Sequence, residues 1–428
     1  MSQQELAQQT LASIASAGFE KAACRVSADE LHELQAETGE INLFRTAMET
    51  DVALVGIEGG RRASLSVNRT DSETLDAAVA DLRTMAAGAN PDDANDIAEA
   101  QPHESFEAGP EEPDHDAMYD RVVGLQEHVR RQYTTLSLRS ASVTFVKRRA
   151  CYANSNDVVF RTRRGLYQVG IQFSSRDGTD TSSMMYTGYS SHDLATPIEE
   201  AINVDDLLRQ STEQVRTEHI PGKFKGDLVI APNCLGDFTG FLTARIGDGP
   251  MIAGTSVYAG RLDEAVASPL LTLRCMPRAP EIASGYWVTS DGYRAEDLCV
   301  VEQGRLRSYL LGLYGARKLD LPRAANAGGC LMVDAGDTAY DDMIASVDEG
   351  ILITRFSGGR PNDRGDFSGI AKNSYYIKDG RIRFPIRETT VSGNLVSLLE
   401  SIDAVSRERL NFGTSVLPWV RARDITAS

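Results

Sequence analysis

The sequence predicts an α+β fold in two domains, residues 1–220 and 221–428. Three observations predict it. Tyr167, Val169, Ile171 and Phe173 alternate along the chain, as a half-buried antiparallel strand requires. Leu75, Val79, Leu82 and Ala86 recur at steps of three and four, and so do Met118, Val122, Leu125 and Val129, which is the spacing of amphipathic helices. Beyond the connector His219-Ile220-Pro221-Gly222 the chain is richer in Gly and β-type runs. There Asp379-Gly380, between 374–377 and 382–386, predicts a hairpin. The first domain is thus helices with mostly antiparallel strands, and the second is β-rich.

Taken in order, residues 3–18 read as a short helix, and 24–37 as a strand too polar for a buried core element. Two or three strands fill 42–67, with a turn at Glu58-Gly59-Gly60. Thr70 and Glu73 form a capping-box pattern ahead of the Leu75 helix, which Gly88 and Pro91 end. Segment 89–117 carries Pro91, Pro102, Pro110 and Pro113 and reads as a mobile acidic loop or linker. A β region spans 134–190, and one helix or a broken pair spans 194–217. The apolar run 228–231 is a strand that feeds a helix marked by Leu235, Phe238, Leu242 and Ile246. A strand at 270–273, a hairpin around Gln303-Gly304 and a helix at 309–318 follow. Asp337 is placed to cap a helix through 343–347; a strand at 351–356 and a last helix near 395–405 complete the chain.

Composition narrows the function. The net charge is −17, and residues 84–120 hold eleven Asp or Glu with no Lys or Arg. Direct nucleic-acid binding needs a basic footprint, and this chain lacks one. No run of eighteen apolar residues occurs, so no membrane span is expected. The first residues show no secretory pattern, and six scattered Cys with no CxxC suggest no disulfide framework. A cytoplasmic location is the expectation.

The candidate chemistry is sparse. His32-Glu33 is not a zinc-protease HExxH motif, because Ala36 stands where the second His belongs, and the pair reads as exposed and polar. No His follows His219, so the strand-to-helix unit at 226–260 has no imidazole, and Cys234 is its sole Cys. Asp334, Asp337, Asp341 and Asp342 lack calcium-loop spacing and read as helix-start acid. The run 358–369 is unusually rich in Gly but is no P-loop. It reads equally as backbone approach to an extended ligand and as a wide hairpin loop. From these residues alone, the chain has no self-sufficient active site.

Several segments, in their order and spacing, resemble the TldD/PmbA (TldD/TldE) family of peptidase-related proteins. They are GDLVIAP, GTSVYAGRLDEAVASPLLTL, SDGYRAEDLCVVEQGRLRSYLLGLYGARKL, DEGILITRFSGG, GDFSGIAKNSYYIKDGRI and TTVSGNLVSLLESI. The resemblance implies a TldD/PmbA-like architecture with a metallopeptidase-like second domain. In catalytic members, it implies, HExxxH lies on the helix after the strand matching 228–231, and a late Cys completes a zinc site. Here those positions fall at Thr239-Gly240 and Ala244-Arg245, and Ser415 lies near where the Cys belongs. The chain is therefore most similar to the TldE/PmbA-type subunit. The implied partner is a TldD-type subunit that holds the zinc in a heterodimer, with none in this chain. The implied substrate is an unfolded or leader peptide, and Gly358, Gly359, Arg360, Gly365, Asp366, Phe367 and Ser368 form a candidate peptide-contact loop. The alternative is a stand-alone, homodimeric peptide- or protein-binding regulator without hydrolytic activity.

Overall fold

The computed structural model describes residues 2–358 and 360–428. Its first half runs α1 (Gln3–Ser16), β1 (Lys21–Glu37), β2 (Glu40–Glu58), β3 (Arg61–Val67), α2 (Ser72–Gly88), β4 (Glu104–Ala108), α3 (His115–Gln132), β5 (Leu136–Asn154), β6 (Val158–Asp177), β7 (Asp180–Thr181), β8 (Met185–Ser191) and α4 (Val204–Glu213). The strands form one sheet in the order β3-β2-β1-β5-β6-β4, with β7 and β8 also on β6. The long ladders are antiparallel; β4 joins β6 in parallel.

Four expectations change here. First, β1 is an inner strand between β2 and β5, not an exposed one. Over residues 21–29 its polarity is confined to one face. Cys24 and Val26 pack with Cys151, Ala153 and Val159 against apolar residues of α1 and α2, while Arg25, Ser27 and Asp29 line a cleft on the other face. Second, the two or three strands expected over 42–67 are two, because 42–58 is a single long strand. Third, Asp71 rather than Thr70 caps α2, accepting from Thr74 N–H. Fourth, the acidic segment is packed, because cations remote in sequence neutralise it. Lys21 and Arg317 reach Asp96 (2.6 and 2.8 Å), and Lys318 reaches Asp92 (2.7 Å). Ala94, Ile97 and Ala98 are buried, and β4 adds a strand.

The second half runs β9 (Phe224–Ile230), α5 (Pro232–Arg245), α6 (Asp248–Ile252), β10 (Leu273–Cys275), β11 (Leu298–Glu302), β12 (Arg305–Leu306), α7 (Leu313–Leu319), β13 (Leu331–Val333), α8 (Tyr340–Ala345), β14 (Glu349–Ile353), β15 (Arg355–Gly358), β16 (Asp366–Lys372), β17 (Tyr375–Lys378), β18 (Arg381–Pro385), β19 (Thr389–Asn394), α9 (Leu395–Glu400), β20 (Ile402–Asn411) and β21 (Val416–Ala427). The main path of this second sheet is β12-β11-β10-β13-β21-β9-β14-β17-β18. The fold is α+β, as expected. Asp337 does not cap α8; Ala339 occupies that position. The last helix stops at Glu400, and β20 begins at Ile402, where more helix was expected; β21 lies beyond the expected helix. Among the described residues no helix is long and apolar enough to cross a membrane.

Candidate functional site

Helix α5 starts directly after β9, with Pro232 in its first turn, where a missing N–H costs nothing. Leu235, Phe238, Thr239, Phe241 and Leu242 are buried. Phe238 meets Phe356 and Phe367 at centroid distances of 5.2 and 6.0 Å. The positions matched to a zinc motif do not converge. Thr239 is buried, its hydroxyl donating to the Leu235 carbonyl at 3.1 Å. Gly240 and the exposed Ala244 face away from the core, and a Cβ on Gly240 would meet nothing. Arg245 pairs with Asp363 at 2.6 Å, and its guanidinium lies 5.5 Å from the Phe241 ring centre. Ser415 precedes β21, where its carbonyl accepts from Phe412 N–H. Cys234 is buried, and burial pushes its thiol far above the usual range. Among the described residues, no three His, Cys, Asp or Glu side chains gather as a metal site requires.

The Gly-rich run is the hairpin between β15 and β16. Gly358 pairs with Gly369, and the Phe356 ring lies over both, where a Cβ on either would strike it. Gly359 lies outside the described residues. Arg360 is exposed. Gly365 has φ +92°, accepts from Leu395 N–H and packs against Phe241. Asp366 accepts from Asn362 and Asn394 at 2.9 Å, which holds its carboxyl below the usual range. Phe367 is buried in the core, and Ser368 is exposed opposite Ser392. The loop thus sits over α5, joined to it by Arg245 and Phe241.

A second concavity was not legible in any motif. It is a cleft of about 780 Å³ between the polar face of the first sheet and residues 285–288. Strand register builds it in three cross-strand rows. One row is Arg25, Tyr152 and Phe160; the middle row is Asp51, Ser27, Ala150 and Thr162; the third is Glu49, Asp29, Arg148 and Arg164. Small side chains in the middle row leave the space. Arg148 forks onto Asp29, with Nε at 2.7 Å from Oδ1. Arg25 donates to the Thr289 carbonyl at 2.9 Å, and Arg164 to the Gly285 carbonyl. Burial, with Arg148 adding like charge, holds the Arg25 and Arg164 guanidiniums below the ordinary arginine range. Burial also pushes the Tyr152 phenol up to about 12.

The loop over this cleft is anchored twice more. A Cβ on Gly285 would sit 1.9 Å from the Pro277 carbonyl oxygen, so only Gly fits there. Asp291 accepts two 2.8 Å bonds from Arg323. Burial alone raises its carboxyl, but Arg323, Thr289 and Leu313 N–H outweigh that and hold it below the usual range. His32 also differs from expectation. It is buried, 2.9 Å from Glu30 and 3.0 Å from His115, because α3 starts beside it.

Residues 222–428 match the PmbA/TldA metallopeptidase C-terminal domain. A metalloprotease of Methanothermobacter thermautotrophicus is 29% identical over 206 residues, 45% of this chain and 45% of that protein. The metalloprotease PmbA of Escherichia coli O157:H7 is 25% identical over 246 residues, 55% of this chain and 53% of that protein. The chain therefore spans about half the length of these curated relatives. In fold it resembles TldE from Thermococcus kodakarensis, with a TM-score of 0.85, 16% identity, and coverage of 99% of this chain and 100% of that one. A proposed modulator of DNA gyrase from Bacteroides thetaiotaomicron superposes with a TM-score of 0.87 at 20% identity, covering 99% and 98%.

Proposed function

Because this chain belongs to the PmbA/TldD family, we propose that it is the non-catalytic subunit of a two-chain zinc metallopeptidase. A TldD-type partner carries the zinc, which polarises the scissile carbonyl and lowers the pKa of bound water. This chain contributes cleft walls and grips unfolded or leader peptide in extended form, by sheet-edge addition and side-chain pockets. The observation that carries the reading is α5. Its motif-matched positions hold a buried threonine, a glycine, an alanine and an arginine committed to Asp363, none of them a zinc ligand set.

The test is reconstitution. The purified chain is added to a TldD-type partner from the same cell, and cleavage of an unfolded peptide is followed with metal content. The expected result is a complex on size exclusion, zinc in the partner alone, and faster cleavage than by the partner alone. One tightly held zinc per isolated chain, or no gain in rate, sinks the reading. A homodimer that binds peptide but forms no complex with the partner would favour the stand-alone regulator instead.

A further inference from the structure

We propose that the cleft beneath residues 285–288 is a carboxylate pocket, in which Arg164 receives the C-terminal carboxylate of an extended peptide. This names a ligand group for the peptide-binding role above and rests on it.

Positive charge in the cleft is left unpaired. This chain has a net charge of −17. Its arginines are widely paired with carboxylates, as Arg148 is with Asp29 and Arg323 with Asp291. Arg25 and Arg164, both half-buried in the cleft, have no carboxylate within 4.0 Å among the described residues. A desolvated guanidinium without a counter-ion is costly. Each spends one N–H on a loop carbonyl, and a guanidinium has five. The geometry of a fork suits a carboxylate.

The cleft also has shape and direction. The row Ser27, Ala150 and Thr162 is a trough crossing three strands, with Tyr152 and Phe160 on one side and Arg148 and Arg164 on the other. Strands lie about 4.8 Å apart, so the trough from β2 to β6 accommodates roughly four extended residues. Charge along the third row runs one way, Glu49, Asp29, Arg148, Arg164. An anion is received at the β6 end and turned away at the β2 end. Trp287, stacked on Phe106 at 5.9 Å, adds an apolar wall to the cleft.

The test compares a dye-labelled eight-residue peptide bearing a free C-terminal carboxylate with its C-terminal amide, by fluorescence anisotropy on the full chain. Binding of the acid is expected to be at least about tenfold tighter, as one charge-assisted contact predicts. Arg164→Gln is expected to abolish the difference. Ala150→Leu fills the trough while leaving every guanidinium in place, and is expected to weaken the acid peptide as well. Thermal melts check that both variants fold. Equal affinity for acid and amide overturns the proposal. Inorganic phosphate, titrated alone by calorimetry, separates the two readings. Phosphate binding that Arg164→Gln removes, with no peptide binding, keeps an anion pocket but overturns its peptide occupant and the peptide-gripping role together. Peptide binding that ignores both the carboxylate and phosphate overturns the pocket alone.

Discussion

Helix α5 has the backbone of a site and little of its chemistry: a strand end, a helix start, an outward face of small residues, and side chains committed to the core or to Asp363. The cleft under 285–288 has the reverse. Its three guanidiniums, two carboxylates on β2 and an aromatic wall come from segments scattered between residues 25 and 288, and no consecutive run announces them. A motif on one helix is readable in sequence, and so is its loss. A site assembled by strand register is not, because each member looks like an ordinary polar position of an alternating strand.

Three measurements break or sharpen that contrast. The largest effect is expected at the buried side of α5. Phe238→Ala removes a ring packed against Phe356 and Phe367 and is expected to cost about 3–5 kcal/mol in denaturant unfolding. A loss under about 1 kcal/mol would mean the helix is not a core element. Next, Asp291→Asn loosens the loop over the cleft. It is expected to cost about 1.5–3 kcal/mol at pH 7. Because the folded carboxyl is held below its usual value, its contribution is present above about pH 3.9 and is lost as pH falls through the folded value. Wild type and variant should therefore converge only in strong acid; a gap that does not shrink as pH falls from about 4 into strong acid contradicts the ion-pair account. The smallest effect has the opposite sign. Gly240→Ala is expected to stabilise by about 0.5–1 kcal/mol, since helix-interior glycine is entropically costly and the Cβ enters open space. Destabilisation would show that something packs on that face in solution.

Local physics was legible. The three-four-four spacing of α5, the apolar run of β9, the helix at Met118 and the Asp379-Gly380 hairpin all stand where residue type and spacing put them. What failed were features settled at a distance. The acidic segment looked mobile until Lys21, Arg317 and Lys318 supplied its counter-charges. His32 looked exposed because His115 and α3 are remote in sequence. β21 was missed because Pro418, Arg421 and Arg423 argue against an inner strand. Arg421 is tolerated there only because Asp403, on the neighbouring β20, accepts two of its N–H groups at 2.8 and 2.9 Å.

The position of β21 governs the order in which the molecule can be made. It follows every other strand in the chain, yet it lies between β13 and β9 and joins the two parts of the second sheet. Ile230, at the end of β9, waits for Val420. At ordinary rates of synthesis that wait is roughly 10–40 s, during which β9, and β13 once it is made, show a bare edge to other chains. The first sheet has a shorter wait, in which Cys24 on β1 must meet Ala153 on β5. Assembly of the second half is therefore the step at which a nascent chain is most exposed to mispairing, and a nonsense change late in the gene would leave a complete first half beside an open sheet.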